Sequence, residues 1–319
     1  MLSPAPMSGL TDELFYEIDY TLETYRGGFS LKGITSIGCI ACSGGFDVAV
    51  VCGTGWNAML GVLLNRRLKK RVFFEVMSGV RNGKLDPRDL VNYGFDAVVG
   101  QAPAVREAFC SNFQWHGISA SIPAFPDPLE LATTISEPIQ DLSKGLRGAY
   151  FGRLEPHKGV GFLLDNWKAI STSIESLDIY GDGSQKVELE KQIHRLNLAS
   201  RVRLLGAYPQ GAAYVKLLQQ YHLTLLPTTG QEGAPLVLLE SMACGVPFVA
   251  NGVGGIRGYI NEDCQITSGQ IGEFVPALRA LCDRLTSGKV DAKRLQNFYE
   301  KNFSFRALSG KWNSFLTDL

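Results

Sequence analysis

From residue 46 onward, short apolar runs alternate with stretches of helical period. FDVAVVC (46–52) reads as a buried strand, NAMLGVLLNRRL (57–68) as a helix and RVFFEV (71–76) as a second strand. RNGKLD (81–86) has turn chemistry, FDAVVG (95–100) is another strand, and APAVREAFC (102–110) is a helix with Pro103 near its start. A proline-rich stretch containing Pro123, Pro126, Pro128 and Pro138 interrupts the alternation. The pattern then resumes. RGAYFG (147–152), SLDIYG (176–181), RVRLLG (201–206) and LTLLP (223–227) read as strands. VGFLLDNWKAI (160–170), KVELEKQIHRLN (186–197) and AAYVKLLQQ (212–220) read as helices between them. GQEGAPLVLLESMACGVPFVA (230–250) follows as a loop, a helix opened by Pro235 and closed by Gly245, and a buried strand. The last 30 residues read as one or two amphipathic helices.

Strict β/α alternation with short connections predicts parallel sheets covered on both faces, with ligands at the C-terminal ends of the strands. A length of 319 residues accommodates two domains, each with its own core. The expected division is a reduced first domain over residues 1–130, a linker at 131–147, a second domain at 148–295 and a C-terminal helix at 296–319 that packs back toward the first domain. Residues 1–45 carry one candidate helix, Glu13 to Thr24, and otherwise no firm period.

Composition narrows the function classes. Lys plus Arg and Asp plus Glu each number 31, so no global field favours nucleic acid or anionic lipid. No apolar run reaches the roughly 20 residues needed to span a bilayer, and the N-terminus lacks signal-peptide order. The expectation is a cytoplasmic protein with at most peripheral membrane association. The seven cysteines fall mostly in apolar runs and read as reduced core thiols; Cys39-Ile-Ala-Cys42 has no second Cys/His pair to complete a metal site.

The candidate chemistry lies in the second domain. Arg153 and Lys158 follow the strand that ends at Gly152, where two cations can neutralise a diphosphate. The helix after Pro235 aims free N–H groups and its positive dipole end at the same region. Glu232 stands just before that helix, and Glu240 lies inside it among Leu236, Leu238, Leu239 and Met242. A carboxylate in so apolar a helix needs a partner, which vicinal hydroxyls could provide. Gly252-Val-Gly-Gly255 forms a further Gly-rich strand-to-helix turn. Read alone, each of these features also has a plain structural explanation.

Taken together, GRLEPHKGV, LDIYGDG, RVRLLGAYP, LLPTTGQEGAPLVLLESMACGVPFVANGVGG and NFSFRALSGKW resemble the family-four (group 1) retaining glycosyltransferases. The resemblance runs in order through residues 148–319 and continues more weakly from Phe46 to Asp127, through FDAVVGQAPAVREAF and SIPAFPD. It implies a GT-B fold, two Rossmann-like doubly wound domains facing a cleft, the N-terminal one reduced. It implies a nucleotide-diphosphate sugar as donor, an unidentified glycan, lipid or small-molecule acceptor, and no nucleic-acid partner, cofactor or metal.

By that resemblance, Arg153, Lys158 and Glu232 are the catalytic residues. Arg153 and Lys158 hold the diphosphate and stabilise the leaving nucleotide. Glu232 and Glu240 match the E-x7-E pair, the first on the donor sugar and the second on the ribose. Gly233, Ala234, Pro235 and Leu236 offer backbone groups to sugar and phosphate. Arg203, Leu204, Leu205 and Gly206 line the base pocket. The chain departs from the family at Met77, where a histidine is usual, at Arg257-Gly258, where Pro-Glu is usual, and in its first strand–loop–helix unit. These departures leave open an alternative, a nucleotide-sugar-binding relative or partner subunit with weak or no turnover. A second alternative is a dinucleotide-binding enzyme, since CGTGWNA follows a strand and Glu75 lies about 20 residues beyond Gly55.

Overall fold

The computed structural model describes residues 48–53, 70–124, 141–230 and 232–319. The expected helices at Glu13–Thr24 and 57–68, the glycines and cysteines before residue 46, and most of the expected linker lie outside them. The chain divides into two compact units.

The first unit is built on a parallel sheet of β1 (Val48–Gly53), β2 (Lys70–Glu75), β3 (Ala97–Gly100) and β4 (Ile118–Ser121), in that order. Between β2 and β3 lie a 3₁₀ turn, Pro87–Leu90, and the short α1 (Val91–Gly94); α2 (Pro103–Asn112) connects β3 to β4. Pro103 does open α2, in its first turn. Phe73, Phe95, Phe109 and Phe113 form the core on one face of the sheet, with Phe109 and Phe113 stacked at 4.6 Å. Asp96 clamps the base of β2 by accepting from the Arg71 backbone N–H at 2.8 Å and from its Nε at 3.1 Å. This unit also includes the last helix, α10 (Phe305–Asp318), whose Trp312 ring meets Phe74 edge-on at 5.6 Å.

The second unit carries a six-stranded parallel sheet. Its strands are β5 (Arg147–Phe151), β6 (Ser176–Tyr180), β7 (Val202–Gly206), β8 (Leu223–Leu226), β9 (Phe248–Ala250) and β10 (Gln265–Ile266). The spatial order is β10-β9-β8-β5-β6-β7, so the winding reverses at β5. The connecting helices are α3 (Val160–Asp165), α4 (Trp167–Ile170), α5 (Lys186–Arg195), α6 (Ala212–Leu218) and α7 (Leu236–Ala243); α8 (Phe274–Thr286) and α9 (Ala292–Phe303) follow β10. The sequence predicts one helix over 160–170. The structure breaks it at Asn166, where the backbone leaves helical geometry and the side-chain amide donates to the Phe162 carbonyl. α9 stays with the second unit and only α10 joins the first. Among the described residues, no helix is long and apolar enough to cross a membrane. The five described cysteines are free thiols, and burial pushes Cys244 up to about 12.

The first unit buries charge. Arg88 is fully buried and holds two carboxylates, Glu75 at 3.1 Å and Asp86 at 2.7 Å. It also donates to the Val80 carbonyl at 2.6 Å and lies 4.7 Å above the Phe113 ring. The dinucleotide reading requires Glu75 to meet a ribose. Instead Glu75 is buried beneath the loop that follows β2, accepting from Arg88 and from the Met77 N–H at 2.9 Å.

The two carboxylates move in opposite directions. Burial pushes Glu75 up despite Arg88 beside it. Burial also acts to raise Asp86, but hydrogen bonds from Arg88 and from the Asn82 and Arg88 N–H groups prevail and hold it at about 2. A depressed carboxylate stabilises the fold above its unfolded value of about 4, and that stability is lost as pH falls toward about 2. Asp86→Asn is therefore expected to cost about 2 kcal/mol at pH 7 and to flatten the dependence over this acid window. Urea unfolding at pH 7 and pH 3 measures both; an equal loss at the two pH values would rule the assignment out.

Candidate functional site

A cavity of about 420 Å³ opens at the C-terminal end of the second sheet, beside the strand where the winding reverses. Residues after β5, after β7 and at the end of β8 line it, together with the start of α7. That is the position at which a doubly wound sheet leaves a crevice between diverging connections.

Arg153 and Lys158 supply its cationic wall. Arg153 is exposed and makes no ion pair among the described residues. Lys158 ends a one-turn 3₁₀ helix, and Gly159 then turns the chain with φ +76°. A side chain at 159 would place its Cβ 2.3 Å from the Pro227 carbonyl oxygen, so only glycine lets the two loops touch. The His157 carbonyl ties them together by accepting from the Thr229 N–H at 2.8 Å and the Gly230 N–H at 3.3 Å. This stitch brings Lys158 to Glu232, and the two form a largely buried ion pair.

The helix α7 supplies the opposite wall through Pro235, Leu236, Val237 and Glu240. Pro235 occupies the N-cap in extended geometry rather than the first helical position, so the free N–H groups begin at Leu236. The helix closes at Gly245, with the Val246 N–H on the Ser241 carbonyl at 2.9 Å and the Gly245 N–H on Met242 at 3.0 Å. Glu240 faces the cavity beside Tyr208 and Tyr214. Burial, then the adjacent Glu240 carboxylate, holds the Tyr214 phenol well above its ordinary range. The Tyr214 hydroxyl is buried close to Glu240 without reaching full hydrogen-bond geometry.

Glu232 is fixed from its backbone. The Gly255 N–H donates to its carbonyl at 3.1 Å, and a Cβ on Gly254 (φ +53°) would fall 2.0 Å from that oxygen. The Gly-rich turn at 252–255 thus cradles a glutamate rather than lining the cavity. Arg257, the first residue of the Arg257-Gly258 departure, braces the same turn by donating to the Gly252 carbonyl at 2.8 Å and the Ser268 carbonyl at 2.6 Å.

The structure gathers Arg153, Lys158, Pro235, Leu236 and Glu240 around one cavity, with Glu232 joined to it through Lys158. Gly233 and Ala234 lie beside the cavity without lining it. Arg203, Leu204, Leu205 and Gly206 do not line the cavity. Arg203 sits opposite Asp178 in the β6–β7 register and binds it through two contacts, at 2.7 and 2.5 Å. Leu204 packs on the core and Leu205 faces outward. Tyr208, Pro209 and Gln210, two to four residues further on, reach the cavity instead. Tyr150, Phe151 and Tyr214 also line it and carried no separate sequence signal. Phe151 is held flat against Tyr180 at 4.9 Å, with Tyr208 and Tyr214 edge-on to it.

The chain is similar to known proteins. Residues 146–284 match the family of glycosyl transferases group 1. The lipopolysaccharide 1,6-galactosyltransferase of Salmonella typhimurium is 30% identical over 205 residues, which cover 59% of this chain and 55% of that protein. An exopolysaccharide phosphotransferase of Streptomyces coelicolor is 30% identical over 151 residues, 45% of this chain and 15% of that one. The chain therefore spans about half or less of the length of these curated relatives. Among solved structures, HepE of Anabaena, crystallised with UDP, superposes with a TM-score of 0.72 at 20% identity, covering 97% of this chain and 89% of its own. The likeness establishes the fold as GT-B.

Proposed function

We propose, for a GT-B chain whose residues 146–284 match the group 1 glycosyl transferases, that it moves a hexosyl group from a nucleotide-diphosphate sugar to a glycan, lipid or small-molecule acceptor. The observation that carries this reading is one cavity walled on one side by Arg153 and Lys158 and on the other by the start of α7 and Glu240. An anion between two cations and a helix N-terminus, flanked by a carboxylate able to accept from hydroxyls, has the charge pattern of a nucleoside diphosphate.

The mechanism follows from where charge develops. Cleaving the anomeric bond leaves extra negative charge on the departing diphosphate and an oxocarbenium-like sugar. Arg153, Lys158 and the free amides of α7 stabilise that charge without reorganising. They supply the positive charge that a divalent metal supplies elsewhere, so the reading is metal-independent. Glu232 contacts the donor sugar and Glu240 the ribose. The resemblance carries the stereochemistry: retention, with attack from the leaving-group face and a phosphate oxygen taking the acceptor proton.

A thermal-shift screen of nucleoside diphosphates and their sugars tests the reading, because a ligand that binds only the folded state raises the apparent stability. At least one is expected to raise the melting temperature. Glu240→Ala is expected to weaken that ligand about tenfold through the loss of a hydrogen bond to a charged acceptor. A flat screen, or full affinity in the variant, counts against the site.

A further inference from the structure

Glu232 is joined to the cavity through Lys158, which lines it, and its carboxylate is held on one oxygen by two donors. Oε1 accepts from Lys158 Nζ and, at 2.9 Å, from Thr228 Oγ1. Oε2 makes no hydrogen bond among the described residues. Lysine is a point charge on a flexible stem, and the proposed diphosphate competes for it. Once the diphosphate takes Lys158, Thr228 remains as the fixed donor to Oε1.

Thr228 is well suited to that task. It is fully buried, and its carbonyl accepts from Asn251 Nδ2 at 3.1 Å. Asn251 is itself fully buried, and its Oδ1 accepts from Thr267 Oγ1 at 2.5 Å. Thr267 Oγ1 accepts in turn from the Gly269 N–H at 3.2 Å and the Gly252 N–H at 3.4 Å. The chain of bonds links the loop after β8 to the ends of β9 and β10 and leaves neither polar atom of the Asn251 side chain unpaired. The Thr228 hydroxyl also lies 3.0 Å from the His157 carbonyl, but a carboxylate is the stronger acceptor. That carbonyl keeps two other donors, the Thr229 and Gly230 N–H groups, if the hydroxyl is removed.

We infer that Thr228, anchored by Asn251, is a positioning residue for Glu232. It holds Oε1 so that Oε2 stays available to a hydroxyl of the donor sugar. The inference rests on the nucleotide-sugar reading of the cavity and adds the residue that fixes its sugar-binding carboxylate.

The test compares wild type, Thr228→Val and Thr228→Ser by calorimetry. The ligands are UDP with UDP-glucose, GDP with GDP-mannose and ADP with ADP-glucose, taking whichever pair the wild type binds. Valine keeps the shape and deletes the donor; serine keeps the donor. Thr228→Val is expected to weaken the sugar nucleotide by roughly tenfold while the free nucleoside diphosphate changes by less than about twofold. Thr228→Ser is expected to restore the sugar-nucleotide affinity. If both ligands weaken together, or neither changes, Thr228 is structural or idle and the inference falls. If serine fails to restore affinity, the hydroxyl is not the cause and the inference falls again. A wild type that binds none of the pairs overturns the functional reading itself, and this inference with it.

Discussion

Lys158→Ala is expected to weaken nucleoside-diphosphate binding by several hundredfold or more, from two losses of similar size. The first is a charge-assisted contact to the diphosphate, worth roughly 1.5–3 kcal/mol. The second concerns Glu232. With Lys158 gone, a carboxylate that is about nine-tenths buried loses its cation and stands close to where the anion must sit. Truncating one partner of a buried charge pair costs on the order of 2–5 kcal/mol, much of it from the partner left behind. Lys158→Ala combined with Glu232→Gln removes that stranded charge and is expected to recover about tenfold of the lost affinity. Calorimetry on the two variants measures the cycle. Equal affinity in wild type and Lys158→Ala would exclude Lys158 from the anion site. A double variant no better than the single would show that Glu232 does not feel Lys158.

Arg88→Met is expected to destabilise the first unit by about 3–5 kcal/mol, the cost of breaking a buried ion pair from one side. Methionine roughly fills the stem of arginine but leaves Glu75 and Asp86 facing each other without a cation, both almost wholly buried. A loss of that size is a large share of the roughly 5–15 kcal/mol that holds a domain folded. Replacing Glu75 by Gln in the same chain removes one of the stranded charges and should return part of the stability. Urea unfolding followed by intrinsic fluorescence reads both steps. A loss below about 1 kcal/mol would show that water or a rearranged side chain compensates for the missing guanidinium. The donor binding proposed for the second unit serves as the internal control.

Much of the second unit was legible because its signals are local. Pro235 and Gly245 bracket α7 through conformational preferences that act within one turn, and the apolar runs at 147–151 and 223–226 are long enough to be read as buried strands. Shorter or more polar elements escaped. β4 is ISAS, with two exposed and two half-buried residues, and β10 is two residues long. Neither offers an alternation that can be told from a loop. The partner of Arg203 was not legible, because its position in β7 reveals nothing about the strand beside it. The β6–β7 register puts Asp178 opposite, and the guanidinium pairs with it.

The sequence by itself determined the parallel α/β architecture, the two-cation and two-glutamate composition of the site, and the loops that carry them, since periodicity, turn residues and caps act over a few residues. Which of these groups meet was decided only in three dimensions. Lys158 and Glu232 are 74 positions apart and pair because β5 and β8 are neighbours, and because glycine at 159 lets their loops touch. Thr228 reaches the same carboxylate within its own loop, four positions away, but Asn251, 23 positions on, meets Thr228 because β8 and β9 lie side by side. Strand adjacency and register are long-range outcomes of packing, and a hydrogen bond about 3 Å long exists only after they are set.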